Sequence, residues 1–143
     1  QFLIEFIRNS PKNYELNLIG ENLESRLDLN GVNVKVWTDP SQILNFYDYI
    51  DVYVHSAHWE GFGLVAVEAC RRGKPILLPL LPGISEVVLD DCYLYQAGSF
   101  SDFGEKLETI VMNLSDAKAH SKKVVNRFSI TSFIEKYRAV IEL

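Results

Sequence analysis

The 143-residue sequence lacks features that several classes of protein require. Its two cysteines, Cys70 and Cys92, do not have the spacing of a metal or redox site, and we expect free thiols in a reducing cytoplasm. No apolar run reaches the roughly 18 residues of a membrane-spanning helix. With a net charge of -5 and no cluster of lysine and arginine, the chain also lacks a surface for nucleic acid. These absences leave a single globular domain, which a chain of this length can support with a buried core.

Short apolar runs alternate with helical patterns along the chain, which is typical of an α/β fold with a parallel sheet. The run at 51–56 is β-branched and aromatic, as in a buried parallel strand. Asp39 followed by Pro40 predicts a helix start, with Asp39 as the cap. The patterns predict strands over 14–19, 32–37, 51–56, 75–78 and 93–95, and helices over 1–8, 23–29, 39–49, 64–73, 85–89, 101–114, 117–128 and 131–141.

Glu60 and Glu68 lie eight positions apart, where the strand at 51–56 gives way to the helix that begins near residue 64. A helix that follows a parallel strand points its first N–H groups into the crevice where such folds bind ligands, and phosphate suits that position. Gly61 and Gly63 would let the backbone approach a ligand closely. In isolation, Glu60 would be read as a helix cap and Glu68 as a solvated residue, and the neighbouring sequence favours a ligand with sugar hydroxyls and phosphate.

That neighbouring sequence resembles the donor-binding, C-terminal domain of GT-B glycosyltransferases, in the retaining group called family 4. Residues 60–69 look like the family's Glu-x7-Glu signature, 73–78 like its Gly-x-Pro-Val-Val strand and 82–88 like its Gly-Gly-x-x-Glu-Val-Val loop. Segments 16–20 and 34–37 fall where the family has two earlier strands. The resemblance spans nearly the whole chain and implies a Rossmann-like parallel sheet flanked by helices, one half of a GT-B fold.

The resemblance also implies a role for individual residues. Glu68 would bind the ribose hydroxyls of a nucleotide sugar, and Glu60, at the catalytic position, would face the transferred sugar. No bound metal is expected. The remaining donor-binding residues would be Gly61, Phe62, Gly63 and Leu64 at the diphosphate, and Trp37 and Thr38 beside the base.

Three aromatic side chains near these segments have two possible roles. The Trp37 ring could stack on the base or be a strand-end aromatic of the core, and the sequence leaves both open. His55 and His58 could touch the ligand, but a lone histidine at a strand end is more often structural.

The resemblance implies a hexosyltransferase that retains anomeric configuration and moves a sugar from a nucleotide diphosphate, with UDP favoured, to a hydroxyl. No cofactor is expected, and polysaccharide or lipopolysaccharide biosynthesis is the expected setting. The alternatives are a non-catalytic α/β scaffold with a degenerate site and a GT-B-type sugar-nucleotide epimerase. The sequence departs from the family at Pro82-Gly83, where two glycines are usual, and in the apolar run at 79–81.

The start of the chain departs further, because residues 1–8 read as a helix where the family has a strand ending in Gly-Arg. We therefore expect residues 1–143 to be the C-terminal domain alone, with its first, central strand and the N-terminal acceptor domain outside this sequence, unless strand exchange fills the gap. Such a fragment would be inactive by itself. The missing domain would hold a glycan or lipid-linked acceptor, and would make any peripheral contact of this cytoplasmic protein with the inner membrane.

Overall fold

The computed structural model describes residues 1–21, 23–132, 134 and 138. The chain divides into two compact units, Gln1–Asp51 and Val52–Leu143, and each is described by itself. Most of the helix predicted over 131–141 lies outside the described residues and stays a prediction.

The described residues of the first unit form two parallel strands and three α-helices. Strands β1 (Leu16–Ile19) and β2 (Val34–Trp37) pair in parallel, with Leu16 opposite Val34 and Ile19 opposite Trp37. The Asp39 carboxylate accepts a hydrogen bond from the Ser41 N–H at 2.8 Å, which confirms the predicted cap. Hydrogen bonding with the Ser41 side chain, and then with its backbone, lowers the pKa of Asp39. The elements are α1 (Phe2–Asn9), β1 (Leu16–Ile19), α2 (Leu23–Arg26), β2 (Val34–Trp37), a 3₁₀ turn (Pro40–Gln42) and α3 (Ile43–Tyr49).

The described residues of the second unit form three parallel strands in the order β3 (Tyr53–Val54), β4 (Ile76–Pro79) and β5 (Leu94–Tyr95), together with three α-helices. Tyr53 pairs with Ile76, and Leu78 pairs with Leu94. All four residues of the middle strand are buried, as expected for a strand covered on both faces. The elements are β3 (Tyr53–Val54), α4 (Leu64–Arg71), β4 (Ile76–Pro79), 3₁₀ turns (Ile84–Val87 and Asp91–Tyr93), β5 (Leu94–Tyr95), α5 (Phe100–Met112) and α6 (Leu114–Arg127).

The predicted parallel α/β class is confirmed, but several boundaries were wrong. The helix predicted over 85–89 is a single 3₁₀ turn, because Gly83 enters it with φ +85° and Val88 leaves it extended. The strand predicted over 93–95 loses Tyr93 to a second 3₁₀ turn, which the Asp90 carboxylate caps by accepting from the Cys92 N–H. Local propensity differs little between a 3₁₀ turn and the helix or strand predicted in its place. Tertiary contacts therefore decide which of these structures forms.

Within the described residues, β1 pairs only with β2, and β3 pairs only with β4. Each of these two strands therefore has one edge without a strand partner in that part of the chain. The extra central strand expected from the resemblance would need such edges, and it stays a prediction.

The core of the second unit buries polar as well as apolar side chains. The Ser121 hydroxyl is fully buried and donates to the Lys74 carbonyl at 2.8 Å, which ties α6 to the turn after α4. Cys70 and Cys92 are free thiols, as predicted, and burial raises the pKa of each to about 11. None of the helices in the described ranges combines the length and apolar character that a membrane crossing needs.

His120 links α6 to the segment that precedes β5. Its ring stacks on Tyr93 with 3.8 Å between centroids, and its Nε2 accepts a hydrogen bond from the Leu89 N–H at 3.2 Å. Burial lowers the pKa of His120 below its ordinary 6.5. The negative charge of Asp90 opposes this shift, and the positive charge of Lys123 adds to it. The folded state therefore favours the neutral imidazole, which alone can accept at Nε2.

We expect His120 to make the protein less stable in acid. The unfolded chain binds this proton more readily than the folded one, so the free energy of unfolding should fall as the pH drops below 6.5. The substitution His120→Gln keeps an acceptor for Leu89 without the titration and should flatten that fall. Urea unfolding at pH 7.5 and 5.5 measures the fall in the free energy of unfolding. The control is His58→Gln, which replaces an exposed histidine. An equal fall in wild type and His120→Gln would contradict the prediction.

Candidate functional site

The loop between β3 and α4 and the first turn of α4 form the candidate site. Helix α4 begins at Leu64, and its N-cap is Gly63, in the left-handed region at φ +80°. A glycine has no side chain to cap the first N–H groups, so the positive end of the helix dipole is not neutralised from within the cap. The site follows the carboxyl end of a parallel strand, where α/β folds bind ligands.

A second loop, at 80–83 after β4, packs tightly on the first. A Cβ added to Gly83 would lie 1.7 Å from the Gly61 carbonyl oxygen, and one added to Gly63 would lie 2.7 Å from Cγ1 of Ile84. Among the described residues, and apart from the chain neighbours of Gly61, no atom lies within 4 Å of the corresponding point on Gly61. The glycine at 63 is therefore required by conformation and packing, whereas Gly61 leaves open space for close approach of a ligand.

Glu60 is held in this loop by two contacts. Its Oε1 accepts a hydrogen bond from the Gly61 N–H at 2.9 Å, and its Oε2 lies 3.4 Å from Nε2 of His55. The Glu60 side chain is 31% exposed, and the His55 side chain is 14% exposed. On the other side of the imidazole, Nδ1 lies 2.9 Å from the Tyr53 hydroxyl. Glu60 thus binds the loop backbone next to it rather than the first turn of α4.

The remaining residues predicted for the diphosphate lie along the same segment. Leu64 is 68% exposed at the start of α4, and Glu68 is exposed one turn further on. The Phe62 ring packs edge-to-face on Phe128, with 5.2 Å between centroids, so its backbone rather than its ring is left for a ligand. The second unit therefore brings together five of the predicted residues, Glu60, Gly61, Phe62, Gly63 and Leu64. Glu68 lies further along α4, the helix that begins at Leu64.

Trp37 and Thr38 belong to the first unit. The Trp37 ring contacts Tyr49 edge-on, with 5.5 Å between centroids, and its Nε1 donates to Oδ1 of Asn17 at 3.0 Å. The Lys35 ammonium lies 4.2 Å from the centre of the indole ring. These contacts account for Trp37 as a packed strand-end aromatic, while Thr38 is exposed just after β2. Base stacking by Trp37 stays a prediction.

The sequence left both a ligand contact and a structural role open for His55, and its contact with Glu60 was not predicted. The neighbouring contact with Tyr53 could have been predicted, since the two residues are two positions apart in the predicted strand over 51–56 and so share one face. Across the described ranges, no group of three or more histidine, cysteine or carboxylate side chains is placed to hold a metal ion.

The Glycosyl transferases group 1 family matches residues 3–126 of the chain. The capsular polysaccharide biosynthesis glycosyltransferase CapM of Staphylococcus aureus is 30% identical over 106 residues, which cover 70% of this chain and 27% of CapM. The chain thus spans about a quarter of the length of that curated relative.

Solved structures with a similar fold include two with informative coverage. HepE of Anabaena, solved in complex with UDP and glucose, superposes with a TM-score of 0.76 at 20% identity, covering 99% of this chain and 44% of HepE. The C-terminal domain of a group 1 glycosyltransferase, LpcC, from Francisella tularensis superposes with a TM-score of 0.60 at 15% identity, covering 86% of this chain and 94% of that domain. The chain therefore belongs to the group 1 glycosyltransferases, and its α/β fold is that of a GT-B glycosyltransferase domain.

Proposed function

We propose that this chain binds a nucleotide-diphosphate sugar, with UDP as the nucleotide, and presents it for retaining transfer of a hexose to a hydroxyl acceptor. The observation that carries the proposal is the start of α4, where a glycine N-cap is preceded by Glu60 and followed, one turn into the helix, by Glu68. The UDP and glucose in HepE support the choice of ligand. CapM supports a role in polysaccharide or lipopolysaccharide biosynthesis.

The diphosphate would lie against the N-terminus of α4. Its charge grows as the sugar leaves, and backbone N–H groups already fixed in position stabilise such charge without reorganising. The open space at Gly61 lets the ligand approach the loop backbone, and the tight packing of Gly63 on Ile84 keeps the first turn in place.

The two carboxylates would receive hydroxyl groups of the donor. Glu68, exposed on α4, accepts from the ribose, and Glu60 accepts from the transferred sugar. We assign Glu60 no nucleophilic step, since hydrogen bonding to the sugar explains its position with less chemistry. The acceptor, a glycan or lipid-linked hydroxyl, would bind a domain outside this chain, which is inactive without it. The protein would work in the cytoplasm or peripherally at the inner membrane.

Calorimetric titration of UDP and GDP into the protein that carries this chain tests the proposal. We expect UDP to bind and Glu68→Ala to weaken it about tenfold or more, because hydrogen bonds to a charged group contribute about 1.5–3 kcal/mol. Glu105→Ala, which removes an exposed carboxylate of α5, is the matched control and should bind as wild type does. Equal affinity in Glu68→Ala would remove the ribose role. Failure of both nucleotides to bind wild type would favour a non-catalytic scaffold.

A further inference from the structure

Both polar groups of the His55 backbone are hydrogen-bonded. Its N–H donates to the Leu77 carbonyl at 3.0 Å, and its carbonyl accepts from the Tyr95 hydroxyl at 2.8 Å. Together with the contact of the ring Nδ1 with the Tyr53 hydroxyl at 2.9 Å, these hydrogen bonds limit movement of the imidazole away from the loop that follows β3. A side chain held this firmly can fix the position of whatever it contacts.

The imidazole contacts the Glu60 carboxylate through Nε2. This nitrogen is buried, and its contact with Oε2 of Glu60 at 3.4 Å is longer than a well-formed hydrogen bond. Contacts of this kind in ligand-free sites often shorten when the ligand binds. The two oxygens of Glu60 are thus divided between the Gly61 N–H and the ring of His55.

Tyr53 is compatible with the tautomer that this contact needs. The phenol lies 2.9 Å from Nδ1 and can donate to it when the ring proton is on Nε2. The Glu60 carboxylate can only accept, so its approach to Nε2 favours that same tautomer. Burial lowers the pKa of His55, opposed by Glu60, so the neutral ring is favoured. The ionisable groups that face the ring are Tyr53 on β3 and Glu60 in the loop, while Tyr95 on β5 contacts the backbone.

We propose that His55 is a positioning residue for Glu60, holding its carboxylate in the orientation that accepts hydrogen bonds from the transferred sugar of the donor. The inference rests on the proposed function, because it needs Glu60 to meet the sugar. The positioning role predicts different effects on two ligands, the nucleotide sugar and the bare nucleotide. Loss of His55 should weaken binding of a nucleotide sugar and leave binding of the bare nucleotide unchanged.

Calorimetry on the protein that carries this chain tests this distinction. The probes are UDP and whichever of UDP-glucose, UDP-galactose and UDP-N-acetylglucosamine binds wild type most tightly. We expect His55→Phe to weaken the UDP-sugar about tenfold and UDP by less than about twofold, the former being the loss of one charge-assisted hydrogen bond. His55→Gln, whose amide nitrogen can take the place of Nε2, should restore most of the UDP-sugar affinity. Equal losses for both ligands would overturn the positioning role.

A second measurement tests the contact without any ligand. In Glu60→Gln, the pKa of His55 followed by NMR should fall below its wild-type value, because the carboxylate no longer stabilises the imidazolium. Glu105→Gln is the control and should leave it unchanged. An unchanged pKa in Glu60→Gln would overturn the contact itself. Wild type that binds no nucleotide would overturn the proposed function, whereas intact nucleotide binding with no selective loss in His55→Phe overturns only the positioning role.

Discussion

Replacing Gly83 with alanine should lower the free energy of unfolding of the second unit by about 2–6 kcal/mol and disrupt the candidate site. The residue has φ +85° and ψ -70°, a conformation that costs a non-glycine residue about 1–3 kcal/mol. The new methyl group would also lie 1.7 Å from the Gly61 carbonyl oxygen. Because that neighbour is backbone, the loop must move, and forced displacement of packed groups adds about 1–3 kcal/mol.

Chemical unfolding and UDP titration of the same variant measure both effects. Gly98→Ala is the matched control, since Gly98 has φ +83° and no atom within 4 Å of the added methyl. It should show the conformational cost alone, about 1–2 kcal/mol, and bind UDP as wild type does. If Gly83→Ala is no less stable than Gly98→Ala, the packing of the two loops contributes nothing, contrary to the structure.

Replacing Phe103 with alanine should cost the second unit about 3–5 kcal/mol, the usual range for a buried phenylalanine. Phe103 on α5 is 1% exposed, and its ring packs edge-on against Tyr95, with 5.0 Å between centroids. The Tyr95 hydroxyl in turn donates to the His55 carbonyl at 2.8 Å. A cavity at Phe103 therefore loosens a contact that reaches the strand end beside Glu60.

Chemical unfolding measures this loss, and the neighbouring Phe100 supplies the control. Phe100 is on the same helix but 43% exposed, so Phe100→Ala should cost about 1 kcal/mol or less. Phe103→Leu, which fills most of the volume, should fall between the two alanine variants. Similar losses for Phe100→Ala and Phe103→Ala would show that α5 is not anchored through Phe103.

The two experiments approach the site from different sides. Gly83 tests the loop that packs on the segment before α4, and Phe103 tests the core that supports β5 and, through Tyr95, the backbone of His55. If Gly83→Ala removes UDP binding while the folded Phe103→Leu retains it, the loop contact, rather than general stability, determines the shape of the donor site.

Much of the fold could be predicted because its strong patterns are local. The alternation of apolar runs with helical periods is enough to indicate a parallel α/β domain, and α1 and α4 follow from single helical faces. Asp39 could be predicted as a cap because its partner, Ser41, is two residues away. The bounds of the short elements near 84–95 and the 3₁₀ turns among them could not be predicted, since a few residues carry too little propensity to outweigh the loops around them.

The sequence by itself determined which residues form the candidate site segment, because Glu60, the glycines and Glu68 are close along the chain. Only the tertiary structure decided what holds that segment in place. The contact of Gly83 with Gly61 depends on β3 and β4 lying side by side, and the approach of His55 to Glu60 depends on how the loop folds back. Side-chain periodicity fixes the face on which a residue lies, but the partner it meets there is set by long-range packing.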